Sequence, residues 1–208
     1  MKKLQRGILI TFEGLDGSGK TTVIQQVQAH FGQSLVTQEP GGSSLGQAVR
    51  AIVHNPESNL DYTAEYLLFA AARAQHIKEV IRPALAAKKI ILCDRMGDSS
   101  LAYQGYGRGV DLEHIKKINE WVMAGIQPDL TFYIDIDHAD ARARIHARGE
   151  LTSFEQEKYD FFERVLQGYT TIFQHAAHVK KIDGSQSPEA VAANVIRELA
   201  LYLEEVWS

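Results

Sequence analysis

A chain of 208 residues can bury one sizeable core and is too short for two full domains, so it reads as a single domain over 1–208. Apolar residues at 45% and charged residues at 23% are ordinary for a globular protein and exclude wholesale disorder. With 22 Lys and Arg against 26 Asp and Glu, the net charge of −4 excludes a surface designed as a whole for nucleic acid, so any anion must be captured by a local cluster. The single cysteine, Cys93, cannot close an internal disulfide, which points to a cytoplasmic setting. The start, MKKLQRGILITFEG, has too short an apolar run for a secretory leader. No run approaches the ~20 apolar residues of a membrane span. The expectation is a soluble, intracellular protein that engages neither membrane nor nucleic acid.

In chain order, five short β-rich runs alternate with longer helical patterns: strands at 7–13, 34–39, 89–95, 129–135 and 178–183, helices near 19–31, 43–54, 61–82, 98–123, 138–148, 155–175 and 188–205. Each pair of strands is separated by enough chain for a helical crossover, which parallel strands require. The predicted fold is a three-layer α/β domain with a five-stranded parallel sheet. Pro83 should end or kink the third helix, and Ser187 before Pro188 is a natural helix N-cap.

Directly after the first run comes Gly14-Leu15-Asp16-Gly17-Ser18-Gly19-Lys20-Thr21, followed by Thr22, which fits GxxxxGK[ST] between a strand and a helix. Such a loop turns backbone N–H groups toward phosphate oxygens. Lys20 adds a point charge at the β and γ phosphates, and Thr21 can ligate Mg²⁺. This predicts binding of a nucleoside triphosphate. A GTPase would need a guanine-reading Asn-Lys-x-Asp, which the chain lacks; Asp94-Arg95-Met96-Gly97 fits only the loose DxxG pattern.

Farther along, the helix over 61–82 carries the stripe Tyr66, Phe69, Ala70, Arg73, Ile77, Val80 and Ile81, apolar except for Arg73. Either Arg73 snorkels beside a core phenylalanine, or Phe69 stacks on a flat base while Arg73, one turn on, donates to a base carbonyl. Asp94-Arg95 closes the third strand at the carboxyl edge, where ligands of open α/β sheets bind. There Asp94 can hold Mg²⁺ through water or orient an acceptor phosphate. Arg95 can bridge donor and acceptor phosphates.

Glu13-Gly14-x-Asp16, Glu39-Pro40-Gly41-Gly42, Phe69-x-x-x-Arg73, Asp94-Arg95, Ser99-Ser100-x-x-Tyr103-Gln104 and Arg148-Gly149-Glu150-Leu151, in this order and spacing, resemble bacterial thymidylate kinases. The resemblance implies a P-loop nucleoside monophosphate kinase fold, ATP as phosphoryl donor, Mg²⁺, dTMP as acceptor and a homodimer through helices near 43–80. It implies that Phe69 stacks on thymine, that Arg73 reads its carbonyl and that Ser100 faces the base edge. By the same resemblance Asp16 meets the deoxyribose 3′-hydroxyl, and Arg50, Arg95 and the Glu39-Pro40 turn line the monophosphate site beside Ser99. Tyr103 would crowd a ribose 2′-hydroxyl, and Gln104 would lie beside the nucleotide.

Arg142, Arg144 and Arg148 precede Gly149-Glu150-Leu151 and resemble the kinase lid, here at about 142–155. Closure over ATP would exclude water. Related kinases with a phosphate-loop arginine carry it at the position of Gly17, so this chain resembles the type with the catalytic arginine in the lid. Where that type reads Leu-Asp-Arg-Ile-Glu, this chain has Leu151-Thr152-Ser153-Phe154-Glu155, and the second lid arginine is missing. Another arginine usual before Arg148 is replaced by His146. Arg148, then Arg144, are therefore the candidates for stabilising transferred charge. Of the remaining signals, Gly105-Tyr106-Gly107-Arg108-Gly109 is expected to be a plain turn and Cys93 a buried side chain. Phe154, Phe161, Phe162, Val165, Leu166, Tyr169 and Phe173 are expected to be helical core without a ligand role. The eight histidines show no metal-ligand spacing. Asp183-Gly184-Ser185-Gln186 is either an adenine-side loop, as in the kinases it resembles, or a surface turn.

Overall fold

The computed structural model describes residues 4–148 and 152–206. In chain order the elements are β1 (Ile8–Glu13), α1 (Lys20–Phe31), β2 (Leu35–Gln38), α2 (Ser44–Val53), α3 (Tyr62–His76), a π-helical turn at Ile77–Ile81, α4 (Arg82–Ala86), β3 (Ile90–Asp94), α5 (Gly97–Ser100), a π-helix at Leu101–Gly107, α6 (Leu112–Met123), β4 (Leu130–Asp135), α7 (His138–Arg148), α8 (Tyr159–Phe173), β5 (Val179–Asp183) and α9 (Pro188–Val206). The five strands form one sheet in the order β2-β3-β1-β4-β5, every pair parallel. Central β1 is buried at all six positions, as a strand covered on both faces must be. Its alternate residues feed two cores. Ile8, Ile10 and Phe12 pack with α1 and α9, whereas Leu9 packs with Ile77, Ile81, Ile91 and Cys93. The β5 edge carries exposed Lys180 and Lys181, a composition that discourages edge-to-edge pairing.

The register sets the site. Phe12 of β1 pairs with Asp94 of β3, and Glu13 with Tyr133 of β4, so the phosphate loop leaves β1 between the carboxyl ends of its two neighbours. Ser187 caps α9 as expected, its Oγ accepting from the Ala190 N–H at 3.3 Å.

Four sequence expectations need correction. Of the two outcomes expected at Pro83, the helix does not end there; it continues to Ala86 through a local distortion, a π turn in which the Arg82 N–H reaches back five residues to the Ile77 carbonyl. A proline lacks its N–H and crowds the carbonyl four residues before it, and a wider turn just upstream accommodates both. The segment over 98–123 is three pieces: α5, the π-helix, and an α6 started by Asp111, whose side chain accepts from the His114 N–H at 2.9 Å. The Gly105–Gly109 stretch is accordingly no plain turn but largely π-helix. A Cβ on Gly107 would stand 2.6 Å from the Phe161 ring, so the glycine permits close packing on α8. Finally, α8 begins at Tyr159, which leaves Phe154 in the preceding turn.

Candidate active site

At the carboxyl edge of the sheet lies an open cleft of about 810 Å³, whose walls come from the phosphate loop, the β2 and β3 ends, α3, the π-helix, α7 and the loop before α9. The phosphate loop forms the middle. Gly17 has φ +80°, and a Cβ there would lie 2.4 Å from the Ala141 carbonyl of α7, so no larger residue fits this position. Gly19 precedes α1 without a side-chain cap, which leaves the N-terminal N–H groups of a 12-residue helix facing the cleft. Asp16, Gly17, Ser18, Gly19, Lys20, Thr21 and Thr22 line the cleft. Gly14 and Leu15 do not; the Leu15 side chain is core, and the two carbonyls accept from Lys20 Nζ at 3.1 and 2.8 Å. Burial, then the nearby Arg95, lower the Lys20 ammonium to about 8.

On one side of the loop, Thr21 Oγ1 donates to Asp94 Oδ2 at 3.1 Å. Asp94 Oδ1 is buried without a hydrogen-bond partner among the described residues. A hydroxyl and a carboxylate with one unsatisfied oxygen, beside a phosphate-binding loop, match the donor chemistry of Mg²⁺. Arg95 follows at φ +68°, a conformation rare for a residue with a side chain. Its Nη2 donates to Asp16 Oδ1 at 2.9 Å and Tyr103 Oη at 3.1 Å, and its Nη1 to Ser99 Oγ at 3.0 Å and Tyr169 Oη at 3.2 Å. Burial would raise the Asp16 carboxyl, but Arg95 and Lys20 outweigh it and hold it below the usual range.

Phe69 and Arg73 both face the cleft, and Arg73 is built into its wall. It donates from Nε to Glu39 Oε2 at 2.8 Å, from Nη1 to Asn119 Oδ1 at 2.6 Å, and from Nη2 to Ser100 Oγ at 2.9 Å and the Met96 carbonyl at 3.2 Å. Among the described residues this uses four of five N–H donors, leaving one on Nη1. The snorkelling alternative is corrected: at 2% exposure the guanidinium does not reach water along the surface but sits inside a polar network. Glu39 also accepts from His76 Nδ1 at 2.9 Å. Burial would raise its carboxyl, yet Arg73 and His76 keep it below its ordinary value. Pro40 lies alongside, its carbonyl accepting from Arg50 Nη1 at 3.2 Å. Gln104 Nε2 donates to Glu65 at 2.9 Å while also lining the cleft.

Arg144 of α7 reaches the same cleft, with Nη2 on the Gly184 carbonyl at 3.0 Å. Ser185 and Gln186 line the cleft there, so the Asp183–Gln186 segment is part of the site wall. The Arg148 side chain and Gly149-Glu150-Leu151 lie outside the described residues.

Several site residues were not assigned from sequence. Phe154, expected to be helical core, lines the cleft, with its ring 6.1 Å from Phe69, 6.0 Å from Tyr103 and 5.8 Å from His54. The helical period absorbed it, although the missing Asp-Arg of the lid motif just before it marked the segment as unusual. Ser153 anchors this turn to the end of α2, donating from Oγ to the Val53 carbonyl at 2.7 Å. His54 faces the cleft at that point, and burial, then Arg50, push its imidazolium down to about 4, so it is neutral in the free protein. Glu13, a carboxylate ending an otherwise uncharged strand, is wholly buried. Asn119 and Tyr169 gave no signal beyond their helical period.

Residues 12–195 match the sequence profile of the thymidylate kinase family. The thymidylate kinase of Exiguobacterium sibiricum is 39% identical over 205 residues, covering 96% of this chain and 97% of its relative. That of Lactobacillus delbrueckii subsp. bulgaricus is 44% identical over 200 residues, covering 91% and 94%. Among solved structures, the thymidylate kinase of Ehrlichia chaffeensis superposes with a TM-score of 0.78 at 33% identity, over 93% of this chain and 98% of that one. With its phosphate loop, its buried Arg73 and this continuous similarity, the chain belongs to the thymidylate kinase family.

Proposed function

We propose that this chain transfers the γ-phosphate of ATP to dTMP, giving ADP and dTDP for dTTP synthesis in the cytoplasm. The observation that carries the reading is the placement of Phe69 and Arg73 in one cleft with Lys20, so that a flat base and a triphosphate fit the same cavity. Phe69 stacks on thymine, and the remaining Nη1 N–H of Arg73 meets a base carbonyl beside Ser100. Asp16 receives the 3′-hydroxyl, Tyr103 excludes a 2′-hydroxyl, and Gln104 closes the nucleotide side. Arg50, Arg95, Ser99 and the Glu39-Pro40 turn hold the monophosphate.

A phosphate oxygen of dTMP attacks the γ-phosphorus, the bond to the β–γ bridging oxygen breaks, and ADP leaves. No strong base is needed, because the acceptor is already an anion at neutral pH; positioning and charge stabilisation supply most of the catalysis. Lys20 exchanges its loop carbonyls for the β and γ phosphates. Arg95 bridges the two substrates, and Arg144 and Arg148 supply lid-side positive charge. Thr21 and Asp94 would hold Mg²⁺, which, bound there, neutralises charge on the β and γ oxygens. Ser185 and Gln186 flank the adenine side.

The homodimer is part of the same reading. It is supported by Leu45 and Ile52 on α2 and Tyr62 and Leu67 on α3, all more than 40% exposed.

The test is an acceptor panel in a coupled ADP-release assay with ATP and Mg²⁺: dTMP, dUMP, UMP, dCMP, dGMP, thymidine and no acceptor. Fast turnover with dTMP, dUMP trailing, is expected. Preference for thymidine or another monophosphate overturns the Phe69 and Arg73 assignment, and equal turnover without acceptor overturns the kinase reading.

A further inference from the structure

Glu13 does not line the cleft, yet its carboxylate is the hub of the bonds beneath Arg95. It accepts from the Met96 N–H at 2.8 Å, from Ser99 Oγ at 2.5 Å and from Tyr169 Oη at 2.9 Å. Each hydroxyl has one proton. With both protons directed at Glu13, the oxygens of Ser99 and Tyr169 present only lone pairs to Arg95 Nη1, at 3.0 and 3.2 Å. Meanwhile the Arg95 backbone, in its left-handed conformation, donates to the Phe12 carbonyl at 2.9 Å. The last two residues of β1 thus hold Arg95 at both ends, Phe12 by its main chain and Glu13 by its side chain.

We propose that Glu13 is a positioning residue which, through Ser99 and Tyr169, fixes the Arg95 guanidinium where it meets the acceptor phosphate. The contact with phosphate rests on the function proposed above; the hold on Arg95 does not. Ionised Glu13 accepts every donor around it. Protonated, it must donate to one of them, and that hydroxyl turns its own proton to another acceptor, such as its partner in the Ser99–Tyr169 pair at 3.0 Å, which re-aims the oxygen that Arg95 meets. The charged and titratable groups around Glu13 are Asp98 and Arg95, with Lys20, Cys93 and Tyr169 also within its field. Burial, then Asp98, push its carboxyl up to about 7 against the pull of Arg95. The alignment of Arg95 therefore weakens as pH falls through about 7, and returns above it.

The experiment compares wild type, Glu13→Gln and Tyr169→Phe in kinetics from pH 5.5 to 9 and in ¹⁵N-arginine NMR of the free protein. A glutamine offers one acceptor oxygen and adds a donor amide, so at pH 8 a roughly tenfold drop in kcat/KM for dTMP is expected, with KM for ATP within about twofold; Tyr169→Phe should lose about three- to fivefold, since neutral hydrogen bonds have modest net worth. The wild-type acid limb should contain two ionisations, Glu13 and the substrate phosphate near ~6, and the Glu13→Gln limb one. In the free protein one guanidinium signal, absent from Arg95→Lys, should titrate in wild type and not in Glu13→Gln. An unchanged acid limb together with an unchanged titration in Glu13→Gln overturns the proposal. If Glu13→Gln does not fold, Tyr169→Phe decides: wild-type kcat/KM with an unshifted Arg95 signal overturns it. If the Arg95 signal responds but dTMP is not phosphorylated, Glu13 positions Arg95 and the assigned reaction is at fault.

Discussion

On the side of the cleft proposed for the acceptor, Arg73, Glu39, His76, Asn119 and Ser100 satisfy one another at 2.6 to 2.9 Å, and Arg95 is gripped by Asp16, Tyr103, Ser99 and Tyr169. On the donor side, Lys20 donates to its own loop, Asp94 Oδ1 has no partner among the described residues, and Arg144 rests exposed on a loop carbonyl. The first half is satisfied by its own hydrogen bonds. The second holds groups whose better partners come with the nucleotide. For the phosphoryl transfer proposed above this division would be apt: a self-satisfied pocket would select the acceptor, while the nucleotide would supply partners to the donor side.

The comparison breaks most visibly at Arg73. Its removal would leave Glu39 as a buried carboxylate facing only His76, so Arg73→Ala should lose about 3–5 kcal/mol of unfolding free energy, the usual cost of breaking a buried pair. Urea denaturation reads this, and a loss below about 1 kcal/mol would mean that the acceptor half is not prebuilt. The pH sign follows from Glu39, whose carboxyl is lower in the folded than in the unfolded protein. Its stabilisation is present above the ordinary 4.5 and is lost as pH falls through the lowered value.

Lys20→Ala should instead act on chemistry, lowering kcat by about 10²–10³-fold, as loss of one electrostatic contact to the transition state does. Stopped kinetics with normal folding sharpen the contrast. A destabilisation as large as that of Arg73→Ala would erase it. Smaller still is base choice: one methyl in an apolar pocket gives about 10–200-fold, so kcat/KM should favour dTMP over dUMP within that range. Equality of the two substrates would show that Phe69 and its neighbours do not enclose the thymine methyl. Least is Ser153→Ala, which removes the side-chain bond to the Val53 carbonyl and leaves the Phe154 turn tied to α2 only by the Ser153 N–H on the His54 carbonyl. Loss of one hydrogen bond of about 1 kcal/mol should raise KM for dTMP roughly fivefold, with KM for ATP unchanged. The reverse pattern would assign that turn to the donor lid.

Local chemistry made much of this legible. The run of β1, the glycines and Lys20 that follow it, and the Ser187-Pro188 start of α9 each act over a few residues, where a pattern and its physical cause coincide. Arg73 was also legible, as a lone charge on an apolar stripe, but two of its partners were not: Asn119 of α6 and Met96 just before α5 are distant in sequence and meet it only through tertiary packing. Phe154 was misplaced for a related reason. Its spacing from Phe161 and Phe162 fits a helix, but Ser153 ties the turn to the end of α2 and Thr152 pairs with Glu155 within it. Nor does periodicity reveal a π-helix, because a single wide turn shifts the helical face without breaking it. Glu13 shows how a strand can hide a site residue: a parallel strand buried on both faces reads as core, and a carboxylate at its end is then counted as its boundary.

The most direct measurement follows the transferred group itself. The protein would be incubated with γ-³²P-labelled ATP, Mg²⁺ and dTMP, and the products separated by chromatography. Label in dTDP, appearing in step with unlabelled ADP, is the expected result. Label released as inorganic phosphate, or retained in ATP while dTMP stays unmodified, would contradict the assignment of Phe69, Arg73 and Arg95 to a thymidylate acceptor.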